Sequence, residues 1–333
     1  MSINFLSSYT FKNKLKTNNR VALAPMASKT ADDQGHVTAA TIKHYQKLIK
    51  ANTGICFVEY CFVSEDGKSD FNQLGVNKED KIEGIKKINT LIKSNKSTSI
   101  IQLAHGGGKC NPSLEKENKI LSPSGIVVPS PTIKYPNSQA CTIANINQIK
   151  IDFLNSAHIA YRAGFDGVEL HMAHGYGLNQ WLSPITNKRN DQYGGSITGR
   201  CKIANEIIKS IKLQYPKKIL SARLPGQDFL AGGLTNTEII KIAKLFEECG
   251  LDILNISSGI GTWTRPDKRI GEGFFTPEAI EIKKQVNIPI ITVGGITSTD
   301  FINNGLANYH FDFAAIGRDI LNDPSKWKKK LKN

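Results

Sequence analysis

The sequence predicts an α/β protein built as one parallel (β/α)8 barrel, the TIM barrel fold. Short apolar runs rich in β-branched residues recur along the chain, each of a length typical of a strand. The eight runs lie at residues 21–24, 55–58, 99–103, 167–170, 219–222, 253–256, 288–293 and 313–316. Between them, apolar residues fall at helical spacing, as at Ile203, Ile207 and Ile208. Strands that alternate with helices pair in parallel, and runs that are apolar throughout favour a closed barrel.

Length and composition favour a single domain over residues 1–333. With 333 residues, of which 40% are hydrophobic, the chain can bury a large core. No apolar run is long enough to span a bilayer, and residues 1–15 lack the apolar core of a signal peptide. We therefore expect a soluble, cytoplasmic protein.

The chain is basic, with 43 Lys and Arg against 29 Asp and Glu and a net charge of +14. Such an excess attracts anionic ligands. The lysines are nevertheless spread over the outer faces of predicted helices, as at Lys202, Lys209 and Lys241, and the one dense run lies at 328–332. This distribution is typical of a solvated surface. We therefore expect a small-molecule substrate and neither nucleic acid nor membrane as a partner.

The six cysteines do not have the spacing of a metal site. They are Cys56, Cys61, Cys110, Cys141, Cys201 and Cys249. None forms a C-x-x-C pair, which excludes the usual ligand pattern of a zinc ribbon or an iron–sulfur cluster. We expect reduced thiols and no bound metal.

Unusual residues follow the predicted strands, where active sites of such barrels lie. Gln102 marks the third strand, His171 closes the fourth and Arg223 follows the fifth. Residues 106–144 are rich in Gly, Pro, Ser and Asn and are too many for a plain loop. They predict an extended loop or hairpin after the third strand, over the mouth of the barrel.

Two glycine-containing pairs follow the last two predicted strands. Gly294-Gly295 comes after the seventh, and Gly317-Arg318 after the eighth. Glycine lets backbone amides approach an anion, and a guanidinium adds charge-assisted hydrogen bonds. Because barrels commonly hold phosphate at these two strand ends, we predict a phosphate site. Tight turns without a ligand are the alternative.

A cluster of His171, His174 and Tyr176 follows the fourth predicted strand. Two neutral imidazoles that donate to one carbonyl oxygen would stabilise the negative charge that develops when hydride adds to a conjugated alkene. A phenol beside them could protonate the neighbouring carbon. The alternatives are a metal site, for which no third ligand is evident nearby, and a surface turn.

The segment from 171 to 196 resembles a family signature. It reads H-M-A-H-G-Y at 171–176 and S-P-I-T-N-K-R-N-D-Q-Y-G-G-S at 183–196. This pattern is similar to that of the Old Yellow Enzyme family, H-x-x-[HN]-G-Y followed by S/D-P-x-x-N-x-R-x-D-x-Y-G-G-S. The resemblance extends over nearly the whole chain, including Ala24-Pro25-Met26 and Ala315-Ile316-Gly317-Arg318.

The resemblance implies an FMN-dependent ene-reductase that takes hydride from NADPH or NADH and reduces the C=C bond of an enone-type substrate. It implies that the flavin ring contacts Pro25, Met26 and Ala27, with Tyr60 nearby. Gln102 and Arg223 would then face the pyrimidine edge. The implied phosphate ligands are Gly294, Gly295, Gly317 and Arg318. His171 and His174 would bind the substrate oxygen, Tyr176 would be the proton donor, and a homo-oligomer is compatible with the family.

The sequence departs from the family at several positions near the implied flavin. Ala27 stands where one branch has a redox-tuning Cys and another a Thr. Lys29 and Gly108 stand where the Cys-bearing branch has Tyr and Arg, and Tyr60 replaces a commonly small residue. The flavin potential and the pocket shape are therefore expected to differ from those of both branches.

Other readings stay open at this point. The same barrel could serve as an NAD(P)H oxidase or as a quinone or flavin reductase. An RNA-directed barrel of the dihydrouridine synthase type would fit the positive charge, but we find no sign of the added helical domain of those enzymes. The longer dienoyl-CoA reductase relatives are less favoured, because the chain stops after one barrel and has no cysteines at the spacing of an iron–sulfur cluster. In the loop 257–275, Trp263, Arg265 and Arg269 could gate the pocket or bind a cofactor phosphate, unless the loop is merely solvated.

Overall fold

Eight parallel strands close into a barrel in the computed structural model, which describes residues 3–114, 120–130, 133–261, 265–266 and 269–332. In chain order the strands are β1 Tyr9–Thr10, β2 Lys16–Thr17, β3 Val21–Leu23, β4 Ile55–Phe62, β5 Thr98–Ala104, β6 Leu121–Ser122, β7 Gln139–Ala140, β8 Gly167–His171, β9 Ile219–Pro225, β10 Ile253–Ser257, β11 Ile290–Val293 and β12 Phe313–Ile316. The barrel runs β3-β4-β5-β8-β9-β10-β11-β12 and returns to β3. Each of the predicted apolar runs overlaps one of these strands, so the predicted barrel is confirmed.

Helices follow the barrel strands, as the alternating pattern predicted. They are α1 Ala39–Leu48, α2 Ile82–Ser94, α3 Ile143–Arg162, α4 Gly177–Leu182, α5 Ile197–Gln214, α6 Asn236–Glu248, α7 Thr276–Lys283, α8 Thr299–Ala307, α9 Arg318–Asn322 and α10 Pro324–Lys330. Helix α6 shows why such a segment is helical. Thr235 and Glu238 form a capping box at its start, and Ile239, Ile242 and Phe246 form its buried face.

The apolar core has two parts separated by the wall of the barrel. One part lies inside the barrel and includes Ile55, Phe57 and Ile100. The larger part lies between barrel and helices and includes Cys56 and Val58. Successive residues of β4 therefore face opposite sides of the wall, as the two-residue period of a strand requires.

A short hairpin that the sequence did not predict covers the N-terminal end of the barrel. Strands β1 and β2 pair antiparallel. Phe11 between them joins the inner cluster and stacks on Phe313, with ring centroids 6.1 Å apart. Arg20 lies over the Tyr9 ring at 4.7 Å. The hairpin and the first residues of the strands thus close this end with apolar side chains.

The predicted extended loop after the third barrel strand is present, but its described pairing is not a hairpin. Strands β6 and β7 pair in parallel, with Leu121 opposite Gln139. The chain between two parallel strands must return to the end at which the first strand began before the second strand can pair with it. The two strands of a hairpin are instead antiparallel. Val128 and Tyr135 pack against Ile260 in a small separate cluster. Residues 115–119 and 131–132 of this loop lie outside the described part.

A register shift in β4 changes which of its residues face the inside of the barrel. Val58 pairs with Ile101, but Tyr60 pairs with Gln102, so two residues of β4 stand against one of β5. A bulge of this kind reverses the alternation of side chains beyond it. Tyr60 consequently lines the cavity at the mouth of the barrel.

Candidate active site

A cavity of about 1070 Å³ opens at the C-terminal ends of the barrel strands. Every predicted site residue lines it: Pro25, Met26, Ala27, Tyr60, Gln102, His171, His174, Tyr176, Arg223, Gly294, Gly295, Gly317 and Arg318. Residues far apart in the chain meet there because all parallel strands end at the same rim. The structure thus brings the predicted set together, and the roles assigned to its members stay predictions.

His171, His174 and Tyr176 are held in a tight turn directly after β8. The ring centroids of His171 and His174 are 5.1 Å apart, and those of His171 and Tyr176 are 4.8 Å apart. His174 has a left-handed backbone with φ of 60°, a strained state for a residue that is not glycine. Its amide donates to Ser258 O at 3.0 Å, and its Nε2 lies 2.7 Å from Ser257 Oγ. These contacts fix the direction of the His174 imidazole.

Both imidazoles are kept neutral by their surroundings. Burial and the nearby Arg223 guanidinium hold the pKa of His171 and of His174 well below the ordinary value of 6.5, and Lys109 adds to the effect. In the part of the chain that the structure describes, His171 Nδ1 and Arg223 Nε are buried without a hydrogen-bond partner. Buried polar atoms of this kind normally have partners, so these two indicate a place for a polar ligand.

Burial also keeps Tyr176 protonated. It raises the pKa of this phenol well above the ordinary value of 10, with a further contribution from Tyr60. A phenol that holds its proton at neutral pH can serve as a general acid.

A buried carboxylate lies among these groups, and the sequence analysis missed it. Glu169 of β8 is fully buried and accepts hydrogen bonds from Gln102 Nε2 at 2.8 Å, Ser221 Oγ at 2.9 Å and Asn255 Nδ2 at 3.1 Å. Its negative charge also stabilises the positive charge of the Arg223 guanidinium. The available signal was an acidic residue inside an apolar run, which is rare without partners.

Glycines that follow β11 and β12 form another part of the cavity wall. Gly294 and Gly295 have φ of 134° and 65°, and a Cβ on Gly294 would lie 2.7 Å from Phe274 N. A side chain at Gly294 would thus collide with backbone. Gly317 directly precedes α9 as its N-cap residue, and Arg318, the first residue of the helix, is exposed at the cavity. Backbone and one guanidinium, without bulky side chains, are what the predicted phosphate site requires.

The wall formed by Pro25, Met26 and Ala27 is held from behind by Glu59. Ser28 N donates to Glu59 Oε2 at 2.8 Å, and Tyr45 Oη donates to Glu59 Oε1 at 3.3 Å. Burial raises the pKa of Glu59 to about 7. The bulged residue of β4 therefore anchors the loop after β3.

Two further charged groups face the cavity, and neither was among the predicted site residues. Lys109 Nζ donates to His174 O at 2.5 Å and lies 5.0 Å from the centroid of the Tyr176 ring. Burial lowers its pKa to about 8. Lys29 Nζ pairs with Asp70 Oδ2 at 2.6 Å where the cavity meets solvent. Lys109 directly follows Gly108, where one branch of the family has Arg, so this chain supplies a cation from the adjacent position.

Of the three loop residues that could gate the pocket, two are described. Arg265 lines the cavity and lies over the Phe274 ring at 5.4 Å. Arg269 instead pairs with Glu278, with Nη1 2.8 Å from Oε2, and also donates to Phe274 O. Trp263 lies outside the described residues. Arg269 is thus engaged in holding the loop, whereas Arg265 remains a candidate ligand-binding group.

Among the described residues, no group of three or more His, Cys, Asp or Glu could hold a metal ion. The cysteines are free thiols, and all but the half-buried Cys249 are buried. No helix in the described part is long and apolar enough to cross a membrane.

Comparison with known families agrees with the fold. The model of the NADH:flavin oxidoreductase / NADH oxidase family matches residues 8–333. The chain belongs to this family. Among curated members, an NADH oxidase of Thermoanaerobacter brockii is 34% identical over 323 residues, which cover 94% of this chain and 48% of that protein.

Solved structures show the same barrel. A 2-naphthoyl-CoA reductase in complex with 2-naphthoyl-CoA superposes with a TM-score of 0.91 at 25% identity, over 98% of this chain and 52% of its own. An old yellow enzyme homologue from Zymomonas mobilis superposes with a TM-score of 0.82 at 20% identity, over 96% of this chain and 90% of its own.

The chain spans about half the length of the NADH oxidase and of the naphthoyl-CoA reductase that it matches. Longer members of the NADH:flavin oxidoreductase / NADH oxidase family are therefore among its relatives.

Proposed function

We propose that this chain is an FMN-dependent oxidoreductase that takes hydride from NAD(P)H and reduces the activated C=C bond of α,β-unsaturated carbonyl compounds. The observation that carries the proposal is the end of β8 and the turn after it, where two imidazoles held neutral have ring centroids 5.1 Å apart and the His171 ring lies 4.8 Å from that of the protonated Tyr176. Hydrogen-bond donors beside a general acid are the groups that reduction of an enone requires. We also propose that residues 1–333 form one FMN-binding domain.

The cavity fits FMN in its shape and its polar groups. Gly294, Gly295, Gly317 and Arg318 would hold the phosphate, since side chains at Gly294 would collide with backbone and a guanidinium stands beside them. Pro25, Met26 and Ala27 would contact the ring. Arg223 and Gln102 would meet its pyrimidine edge, where the unpartnered Arg223 Nε calls for an acceptor. When bound, FMN would accept hydride from NAD(P)H and deliver it to the alkene.

The protein groups would act on the substrate carbonyl and on the carbon next to it. His171 and His174 donate hydrogen bonds to the carbonyl oxygen, and they are suited to do so as neutral donors because Arg223 and burial oppose their protonation. His174 Nε2 is already close to Ser257 Oγ, so a substrate oxygen would compete with or replace that contact. Tyr176 supplies the proton that completes the saturated product.

A second candidate keeps the flavin and changes the acceptor. The similarity to a protein named NADH oxidase favours NAD(P)H oxidation with oxygen, a quinone or free flavin as acceptor. In that reaction Tyr176 would have no carbon to protonate, so its substitution would leave turnover unchanged. This difference separates the two functions.

The test is a single anaerobic titration of the purified protein. We expect a bound flavin band that bleaches on addition of NADPH or NADH and returns, with saturated product, on addition of 2-cyclohexenone. Bleaching that only oxygen or a quinone reverses would favour the oxidase. A protein that binds no FMN on reconstitution would overturn both proposals.

A further inference from the structure

The cavity carries more positive than negative charge. Among the described residues that line it, two are acidic and five are lysines or arginines, namely Lys29, Lys109, Arg223, Arg265 and Arg318. Both acidic residues have a lysine partner. Asp70 Oδ2 lies 2.6 Å from Lys29 Nζ, and Asp319 Oδ1 lies 2.8 Å from Lys326 Nζ. With its two histidines neutral, the cavity as a whole attracts anionic ligands.

FMN would account for part of this positive charge. Its phosphate would meet Arg318, and its pyrimidine edge would meet Arg223. Lys109 and Arg265 are not among the residues proposed to hold FMN. Arg265 is exposed at the rim, whereas Lys109 is half-buried and contacts the turn after β8. Lys109 is therefore a cation that a substrate bound at this turn could contact.

Lys109 stands beside the groups proposed to act on the substrate. Its Nζ donates to His174 O at 2.5 Å and lies 5.0 Å from the centroid of the Tyr176 ring. The centroid of the Tyr135 ring, from the extended loop after β5, is 5.8 Å from the same atom. The ammonium thus lies between the turn after β8 and the loop over the mouth of the cavity. A charge interaction in such a partly desolvated place is stronger than one on the surface.

We propose that Lys109 determines substrate specificity by binding a carboxylate that the substrate carries next to its carbonyl group. The inference rests on the proposed ene reduction and narrows its substrates to anionic α,β-unsaturated carbonyl compounds such as 2-oxo-3-enoates. The ketone oxygen of such a compound would accept hydrogen bonds from His171 and His174. Its carboxylate is bonded directly to the ketone carbon and would lie on the side of Lys109. The net charge of +14 favours the approach of such an anion.

The test compares 2-oxopentanoate with 2-oxopentanamide, in which an uncharged amide of almost the same size replaces the carboxylate. Both compounds are saturated, so titration calorimetry on the protein saturated with FMN measures binding without turnover. The ratio of the dissociation constant of the acid to that of the amide should rise in Lys109→Met by roughly 10- to 150-fold, the worth of a charge-assisted hydrogen bond. Lys109→Gln keeps a donor for His174 O and should raise this ratio to the same extent, because it also lacks the charge.

Lys218 provides the matched control. It is half-buried like Lys109, and its Nζ also donates to a backbone oxygen, that of Phe165, at 2.7 Å. The same atom lies 5.3 Å from the centroid of the Tyr161 ring. Lys218 directly precedes β9 and so lies at the N-terminal end of the barrel, away from the cavity. Lys218→Met should leave the ratio of the two dissociation constants unchanged.

The outcomes distinguish the carboxylate site from the function on which it rests. An equal change in both affinities in the Lys109 variants would overturn the site, since Lys109 would then only hold the turn through His174 O. Equal affinities of the wild-type protein for acid and amide would overturn it as well. Reoxidation of the reduced flavin by 2-cyclohexenone tests the ene reduction separately. If that fails while the preference for the acid depends on Lys109, the anion site stands and the proposed reaction does not.

Discussion

Gln102 Nε2 donates a 2.8 Å hydrogen bond to Oε1 of Glu169 in the interior of the barrel. Burial raises the pKa of Glu169, whereas the Arg223 guanidinium and the hydrogen bonds that Glu169 accepts favour its ionised form. As an ionised carboxylate it only accepts hydrogen bonds, so the amide nitrogen of Gln102 is the end that faces Glu169. The carbonyl oxygen of Gln102 is left as an acceptor for a ligand in the cavity. Glu169, which lies behind Gln102, thereby decides what kind of group Gln102 can recognise.

Glu169→Gln should therefore weaken FMN binding by roughly two- to tenfold, the worth of one hydrogen bond of about 0.5–1.5 kcal/mol. Two carboxamides can pair in either orientation, so the direction of Gln102 is no longer imposed. Quenching of flavin fluorescence on binding gives the dissociation constant. Ser221→Ala is the control, because it removes a donor to Glu169 without touching Gln102; an equal loss in both variants would refute the orienting role.

Arg318→Ala should weaken FMN binding more strongly, by roughly 10- to 150-fold. The reason is the loss of charge-assisted hydrogen bonds, worth roughly 1.5–3 kcal/mol, to the phosphate. The loss should be much smaller for riboflavin, which has no phosphate. Lys328→Ala removes one exposed positive charge outside the cavity and should leave both affinities unchanged. Equal losses for FMN and riboflavin would place the phosphate elsewhere.

Tyr176→Phe should leave bleaching of the flavin band by NAD(P)H nearly unchanged and slow enone turnover by roughly 10²–10⁴-fold, the usual contribution of a positioned general acid. Stopped-flow spectroscopy measures the two half-reactions separately. The slowing should be present from the first turnover. A parallel loss in both half-reactions would show that Tyr176 only shapes the pocket.

His174→Asn should make the free energy of unfolding less dependent on pH in mildly acidic solution. The pKa of His174 in the folded protein lies well below 6.5 because of burial and Arg223. As the pH falls below about 6.5, the unfolded chain binds a proton that the folded protein does not, so stability is lost.

This single proton corresponds to about 1.5 kcal/mol between pH 6.5 and 5.0. The wild-type protein should lose that much more stability than His174→Asn over this range, as measured by denaturant unfolding with FMN at one saturating concentration. Parallel pH profiles for the two proteins would mean that His174 is protonated in the folded state.

The sequence predicted the barrel because its strands are apolar and regularly spaced, and it placed the candidate site because strand ends of a barrel converge. It could not predict the hairpin of β1 and β2, since two-residue strands have no measurable period. The parallel pairing of β6 and β7 was likewise hidden, because nothing local to Leu121 or Gln139 sets the direction in which the chain returns.

Two features of the site were missed for other reasons, namely Glu169 and the pairing of the predicted Tyr60 with Tyr176. Glu169 lies within an apolar run and was counted as part of the strand. Tyr60 was singled out as unusual, but its pairing with Tyr176 depends on the register shift in β4, and a pattern of residue types does not show where an extra residue is accommodated.

The hairpin of β1 and β2 closes the barrel at its N-terminal end, and the cavity opens at the C-terminal end. With Phe11 and Phe313 closing the N-terminal end, the proposed hydride donor and substrate would both enter at the C-terminal rim. If both need the same face of the flavin, they would bind in turn, and ping-pong kinetics would follow. We expect that exchanging loops at the rim, such as 257–275, would change substrate specificity without altering the residues that close the N-terminal end of the barrel.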